Sequence, residues 1–292
     1  MDVKLSSSCP CKGGQFVGYS NLVGITEKLK IDIFNLPVTS VLFTLSNSKT
    51  TIMRQAAFFI ALILFVTSSC RYMGWKSVTG NGILSKQERN IGDFRGVEVT
   101  GDMEVFISTG AENSIRIEAD ENLMQHIEID RDGDVLVIAP ERGYNLRPKA
   151  GIRIYLTAPS FETLAVTGSG KIKSESKIVS NNKISADVTG SGDIMVEADA
   201  PEIRTDITGS GTINIKGATK LHTSEISGSG DVQCFELLSE KTTVDIAGSG
   251  NVQVFASKQL DVDITGSGDV QYKGSANLNF SKTGGGNVKK VD

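Results

Sequence analysis

Two histidines, His126 and His222, and four cysteines are the only imidazole and thiol groups in this chain of 292 residues. A zinc site needs three or four such ligands at close spacing, and no such set is present. Cys9-Pro10-Cys11 has no partner ligands around it. A serine nucleophile would need Gly-x-Ser-x-Gly on a strand-to-helix elbow, with acid and histidine partners. The Gly-Ser-Gly found here is shorter, recurs along the chain and joins strands. No glycine-rich loop leads into a helix where it could cradle a phosphate. What remains is carboxylate chemistry. Asp187, Asp206, Glu225, Asp245 and Asp263 each stand three residues before a recurring glycine, and Asp193, Asp231 and Asp269 stand three after one. Such oxygens suit either a hard cation or a solvated row. Gly-Ser-Gly-Asp is similar to calcium-binding nonapeptide repeats, but the period is about twice as long. The solvated row is therefore expected, and no metal or cofactor is assigned.

These carboxylates are placed by a repeat. Thr-Gly-Ser-Gly or a close variant recurs with its first glycine at Gly168, Gly190, Gly209, Gly228, Gly248, Gly266 and Gly284, at spacings of 22, 19, 19, 20, 18 and 18 residues. Nearly half of the 31 glycines sit in these motifs, so the glycine excess is turn chemistry. Two residues before the glycine come Val188, Ile207, Ile226, Ile246 and Ile264; four after it come Ile194, Ile213, Val232, Val252 and Val270. Alternation on both sides of a glycine turn predicts strand, turn and strand with one buried face. The same residue class at the same offset in consecutive units favours coils stacked in register. The predicted fold is all-β, a β-solenoid of roughly 19-residue repeats with Gly-Ser-Gly turns; an up-and-down barrel of hairpins is the alternative. Cys234 falls where other units have Val or Ile and reads as a small core hydrophobe. His222 falls at a nominally inward offset and reads as shifted or partly exposed. Lys282, Lys289 and Lys290 on the last unit suit an open sheet edge.

The first part of the chain reads differently. Arg54, the apolar run Ala56 to Val66, and Thr67-Ser68-Ser69 form a secretory leader pattern too short to span a membrane. Met53 is expected to be the initiator, with residues 1–52 an upstream extension and 53–69 the signal peptide. Small residues running into Cys70 resemble a bacterial lipoprotein signal, although Thr67 stands where leucine is usual. Cys70 is accordingly the expected lipidation site. Arg71 after it, in place of Asp, implies the outer membrane. With Cys70 lipidated, Cys234 is left alone and no disulfide framework exists.

Residues 70–92 read as a tether, and 93–292 as a single solenoid domain with its repeats over 166–292. Alternation at Val97 and Val99, Val105 and Ile107, and Ile115 and Ile117 marks further strands. Asp120 is a plausible cap for one helical turn over 121–126, and Asp132-Gly133 signals a hairpin. Phe94-Arg95-Gly96-Val97-Glu98-Val99, Ala119-Asp120-Glu121-Asn122-Leu123 and Ala158-Pro159-Ser160-Phe161-Glu162-Thr163-Leu164 precede the glycine ladder. In that order they resemble the bacterial family called putative auto-transporter adhesin, head GIN domain, over about 93–275. The resemblance implies a β-helical fold and an exported, often lipid-anchored protein.

The net charge is −4, without a basic block, and aromatic residues make up 6% of the chain, so nucleic acid is not an expected partner. Polysaccharide-active β-helix enzymes build clefts from long loops, and repeats this short leave little material for them. The expectation is a non-catalytic envelope protein, anchored in the membrane by its lipid, that presents a repetitive surface to a glycan or protein ligand. A structural envelope scaffold is the alternative.

Overall fold

A computed structural model describes residues 75–90 and 92–292. The expected extension at 1–52, the expected leader at 53–69 and Cys70 lie outside the described residues. From Val166 onward the alternation of the sequence becomes the alternation of the fold. In the stretch Ile203 to Ile207, Ile203, Thr205 and Ile207 point inward and are buried, while Arg204 and Asp206 face outward. Each unit returns beside the previous one in parallel, and equal offsets lie in register. Val99, Val166, Val188, Ile207, Ile226, Ile246 and Ile264 make one internal row. Val105, Ile172, Ile194, Ile213, Val232, Val252 and Val270 make the row on the other side of the corner. Burial of each such side chain stabilises the stack by roughly 1.5–3 kcal/mol relative to exposure. The chain is a β-solenoid, and its parallel pairing sets the hairpin barrel aside.

The beginning of the body departs from a simple spiral. Its strands are β1 (Lys76–Thr79), β2 (Leu84–Arg89), β3 (Gly96–Gly101), β4 (Glu104–Thr109), β5 (Ser114–Asp120), β6 (Ile127–Asp132), β7 (Val135–Pro140), β8 (Tyr144–Arg147), β9 (Arg153–Ala158), β10 (Thr163–Gly168) and β11 (Lys171–Ser174). Strand β3 lies between β7 and β10, and β4 between β9 and β11, so the coil nearest the repeats was laid down before the coil beneath it. Antiparallel β6 covers the free edge of β7, and antiparallel β5 covers that of β9. This end of the stack therefore offers no bare edge on those strands. At the other end Asn277–Gly284 and Asn287–Lys290 pair on one side only. There Lys282 takes the place of Ile264 in its row, and its ammonium donates to the Gly286 carbonyl at 2.9 Å.

The expected tether at 70–92 is corrected for its described part. It carries β1, which pairs with β8, and β2, which pairs with β5. Both strands are largely exposed, so no apolar alternation announces them. They are held by polar contacts centred on Asp120. Its buried carboxylate accepts from the backbone amides of Gly82 at 2.6 Å, Lys149 at 2.8 Å and Ala150 at 3.2 Å. Asn122 accepts from the Asn81 amide and donates to the Thr79 carbonyl. Gly80 lies against the same carboxylate, where a Cβ would come within 2.3 Å of it. Asp120 thus clasps two loops, and its side chain makes no capping bond to the 3₁₀ turn Glu121–His126 that follows.

Burial by itself would raise the Asp120 carboxyl, but the Ala150, Lys149 and Gly82 amides outweigh it and hold its pKa below the ordinary value. A depressed folded pKa gives stability that is present above the unfolded carboxylate pKa and lost as pH falls through the folded one. Asp120→Ala should cost about 3 kcal/mol at pH 7, because three partly buried amides lose a charged acceptor. The deficit should shrink below about pH 4. Urea unfolding at pH 7 and pH 3 checks both points; equal stabilities of variant and parent at pH 7 would contradict the clasp.

Candidate functional site

The corner between the two strands of each unit organises both outer faces. Gly101, Gly168, Gly190, Gly209, Gly228, Gly248, Gly266 and Gly284 stand directly over one another. All eight have positive φ, from 98° at Gly101 to 137° at Gly248. At each step the next amide donates to the first glycine of the coil below, as Ser210 does to the Gly190 carbonyl at 2.8 Å. A Cβ on Gly209 would sit 2.4 Å from that carbonyl oxygen. Gly101 is the member that motif reading misses, because Thr100-Gly101-Asp102-Met103 lacks the serine and the second glycine. Val99, two residues before it, is the signal that would have found it.

Before the corner, Asp187, Asp206, Glu225, Asp245 and Asp263 stack in one outward row. The last four line a shallow groove of about 430 Å³ together with Thr208, Ala247 and Thr265. Neighbouring side chains relieve the row: Ser185 donates to Asp187 on its own strand at 2.6 Å, and Arg204 donates to Asp206 on its own strand at 3.1 Å and to Glu225 on the next coil at 2.9 Å. Asp187 is held above the ordinary carboxylate pKa, mainly by burial, with the Ser185 bond opposing and Asp206 adding to the shift. Asp245 is also raised, by lost hydration first and the charge of Asp263 second. Among the described residues, no group of three or more His, Cys, Asp or Glu side chains is gathered so as to hold a metal ion.

The remaining candidates for chemistry lie inside or on the flank. Cys234 is fully buried, and burial pushes its thiol up to about 12, with a backbone bond at Ile215 opposing. His222 is corrected: it points inward and is fully buried, in the row of Ile203, Thr242 and Leu260. Burial pushes its imidazole down to about 4, so the ring is neutral. Nε2 lies 3.3 Å from the Thr205 hydroxyl. Thr205 is the ring's hydrogen-bond partner, while Nδ1 and the Ser224 hydroxyl are buried without one, and buried Thr242 bonds Ser239. His126 is on the flank, its Nδ1 2.5 Å from a Glu141 oxygen and its ring stacked on Tyr144.

After the corner the outward side chains form three parallel rows. Asp193, Thr212, Asp231, Asn251, Asp269 and Asn287 make the first. Met195, Asn214, Gln233, Gln253 and Gln271 make the second. Phe255 and Lys273 continue the third, with Phe235 following buried Cys234 in the adjacent coil. The Asn251 amide donates to Asp231 at 2.9 Å, and that of Asn214 to Gln233 at 3.3 Å. The first two rows enclose a concavity of about 250 Å³. Farther along, Tyr155 stacks on Phe106 with centroids 5.1 Å apart, and the Arg116 guanidinium lies 4.3 Å above the Tyr155 ring. Arg116 and Tyr155 border a hollow of about 540 Å³ together with Arg89 and Asn113. The glutamines were missed because the apolar offsets were aligned and the polar ones between them were not. Five residues past each glycine, the repeat reads Met195, Asn214, Gln233, Gln253 and Gln271.

The model of the family described as putative auto-transporter adhesin, head GIN domain, matches residues 93–276. Several solved structures share the fold, among them the following three. A putative adhesin from Bacteroides fragilis has a TM-score of 0.68 at 16% identity, covering 73% of this chain and 100% of that one. A putative lipid binding protein from Parabacteroides distasonis has a TM-score of 0.63 at 24% identity, covering 74% and 100%. A putative adhesin from Parabacteroides merdae has a TM-score of 0.59 at 22% identity, again covering 74% and 100%. The comparison with curated proteins found no match.

Like charges stacked one coil apart repel, and screening weakens that repulsion. The melting temperature should therefore rise between low and moderate ionic strength. Asp245 has a raised folded pKa and so costs stability at pH values above it. Asp245→Asn should raise Tm by about 1–2 °C at low salt and flatten the salt dependence. Thermal melts across a salt series check this, and a parent Tm independent of salt would contradict it.

Proposed function

Because the chain belongs to the family described as putative auto-transporter adhesin, head GIN domain, we propose that it is an adhesin-like binding protein of the cell envelope, held to the membrane through a lipid on Cys70 and working without catalysis. One observation carries this reading: outward polar side chains stand in unbroken rows along the stack. A site for catalysis converges a few groups on one point, whereas rows present the same group again at each coil. The long stretches Asp193–Gly209 and Thr212–Gly228 run with little material outside the strands, which supports a binding surface over an enzymatic cleft. The buried thiol of Cys234 and the buried ring of His222 have no access to a substrate on that surface. The leader over 53–69 followed by Cys70 and Arg71 supports export and an outer-membrane anchor. The body then acts as a rigid arm whose outer faces meet a glycan or protein ligand.

Two readouts on one expression experiment test the proposal. Intact-mass analysis of membrane-extracted protein should show an acylated Cys70 as the mature N-terminus. Cells carrying the parent chain should adhere to glycan- or protein-coated surfaces more strongly than cells carrying Cys70→Ser, which releases the body. A mature protein that retains residues 1–52, or equal adherence of the two strains, would contradict it.

A further inference from the structure

We propose that the face after the glycine corner, at Asp231, Gln233, Phe235, Asn251, Gln253 and Phe255, binds a linear β-linked polysaccharide laid along the stacking axis. This rests on the reading of the chain as a binding protein and names its ligand class and its site.

The chemistry of the rows selects the ligand. A sugar ring offers hydroxyls that both donate and accept, together with an apolar face of C–H groups. The glutamine and asparagine amides supply donors and acceptors, and the aspartates supply acceptors only. Val232 and Val252 are buried between them, so the polar side chains of the two flanking positions project to the same outer face. Beside them Phe255 on its strand and Phe235 on the turn after Cys234 are partly exposed and provide an apolar surface against which a ring face packs. The Lys273 ammonium lies over the Phe235 ring, 5.2 Å from its centre, so the open ring face is that of Phe255. Across the face, from the corner outward, the order is carboxylate or amide, then amide, then aromatic ring.

The spacing selects a polymer. Coils repeat at about 4.8 Å, and an extended β-linked hexose chain advances by a similar distance per sugar. Each of these coils then meets one sugar with an aspartate or asparagine and a glutamine. The Asn251–Asp231 and Asn214–Gln233 bonds hold these groups in place before any ligand arrives, which lowers the entropy lost on binding. A protein partner fits this face less well, because the centres of protein interfaces are aromatic and apolar and are depleted in acidic residues. Here the two central rows are amide and carboxylate.

The test uses the full chain in detergent, with its fold checked by thermal melting. The probes are soluble hexasaccharides of β-1,4-linked glucose, xylose and N-acetylglucosamine, with α-1,4-linked glucose as the control of different chain shape. Calorimetric titration should show binding of at least one β-linked hexasaccharide, tighter than its trisaccharide, and weaker or no binding of the α-linked control. Gln253→Ala and Phe255→Ala should each weaken binding at least about tenfold. Gln253→Ala is the variant whose melting should match the parent, and Asp245→Asn, on the other side of the corner, should bind as the parent does. A folded chain that binds none of the β-linked hexasaccharides, or whose binding is unchanged by both alanine variants, would overturn the assignment. If cells carrying that chain still adhere to protein-coated surfaces, the glycan assignment alone falls and the adhesin-like reading stands.

Discussion

The structure depends on how closely one corner lies on the next. From Gly190 onward the amide following each first glycine donates to the glycine carbonyl of the coil below at 2.8 Å, and the backbones approach until a Cβ would come within 2.7 Å of that oxygen. This contact carries the hydrogen-bond ladder around the bend, where a strand would otherwise lose its partner. It also fixes register. A slip of one residue would turn the apolar side chains outward and push a non-glycine residue into the corner at once. Two independent penalties therefore enforce the same alignment.

Register then imposes like upon like. For Ile and Val inside the stack, this aligns apolar side chains and excludes water from them. For carboxylates outside it is unfavourable, and the chain answers with local measures: Arg204 between two acids, Ser185 beside a third, and Lys171 paired with Asp193 at 2.8 Å. On the last coil the rule is broken by Lys282, which places a charge where the next coil would need an aliphatic side chain. The property that makes the acidic row costly also gives the amide rows a regular, rigid surface suited to a polymer.

Much of this was legible in the sequence, for a physical reason. A repeated backbone constraint leaves a repeated residue, and the glycines at Gly168 to Gly284 marked the corner and the inward offsets of the strands. Three features were not legible. Gly101 performs the corner role in a coil whose neighbour β7 comes later in the chain, so sequence order hid its place. Strands β1 and β2 are fastened by Asp120 and Asn122 and not by an apolar face, and a hydrophobic pattern carries no trace of such a clasp. His222 is buried because Thr205 and Ser224 have also replaced aliphatic residues near it, a coincidence visible only after the coils are stacked. The outer surface was readable in composition but not in role, since amides in a row acquire meaning only with the concavity and the aromatic surface beside them.

The central claim, that the corner contact sets the fold, is tested most directly by adding one methyl group. Gly209 has φ of 126° and no room for a Cβ, whereas Gly133, at φ of 60° in the β6–β7 hairpin, has nothing within 4 Å of that position. Gly209→Ala should lose roughly 2 kcal/mol or more in equilibrium unfolding, and Gly133→Asn should lose far less, because asparagine tolerates that conformation. Equal stability of Gly209→Ala and the parent chain would contradict the account.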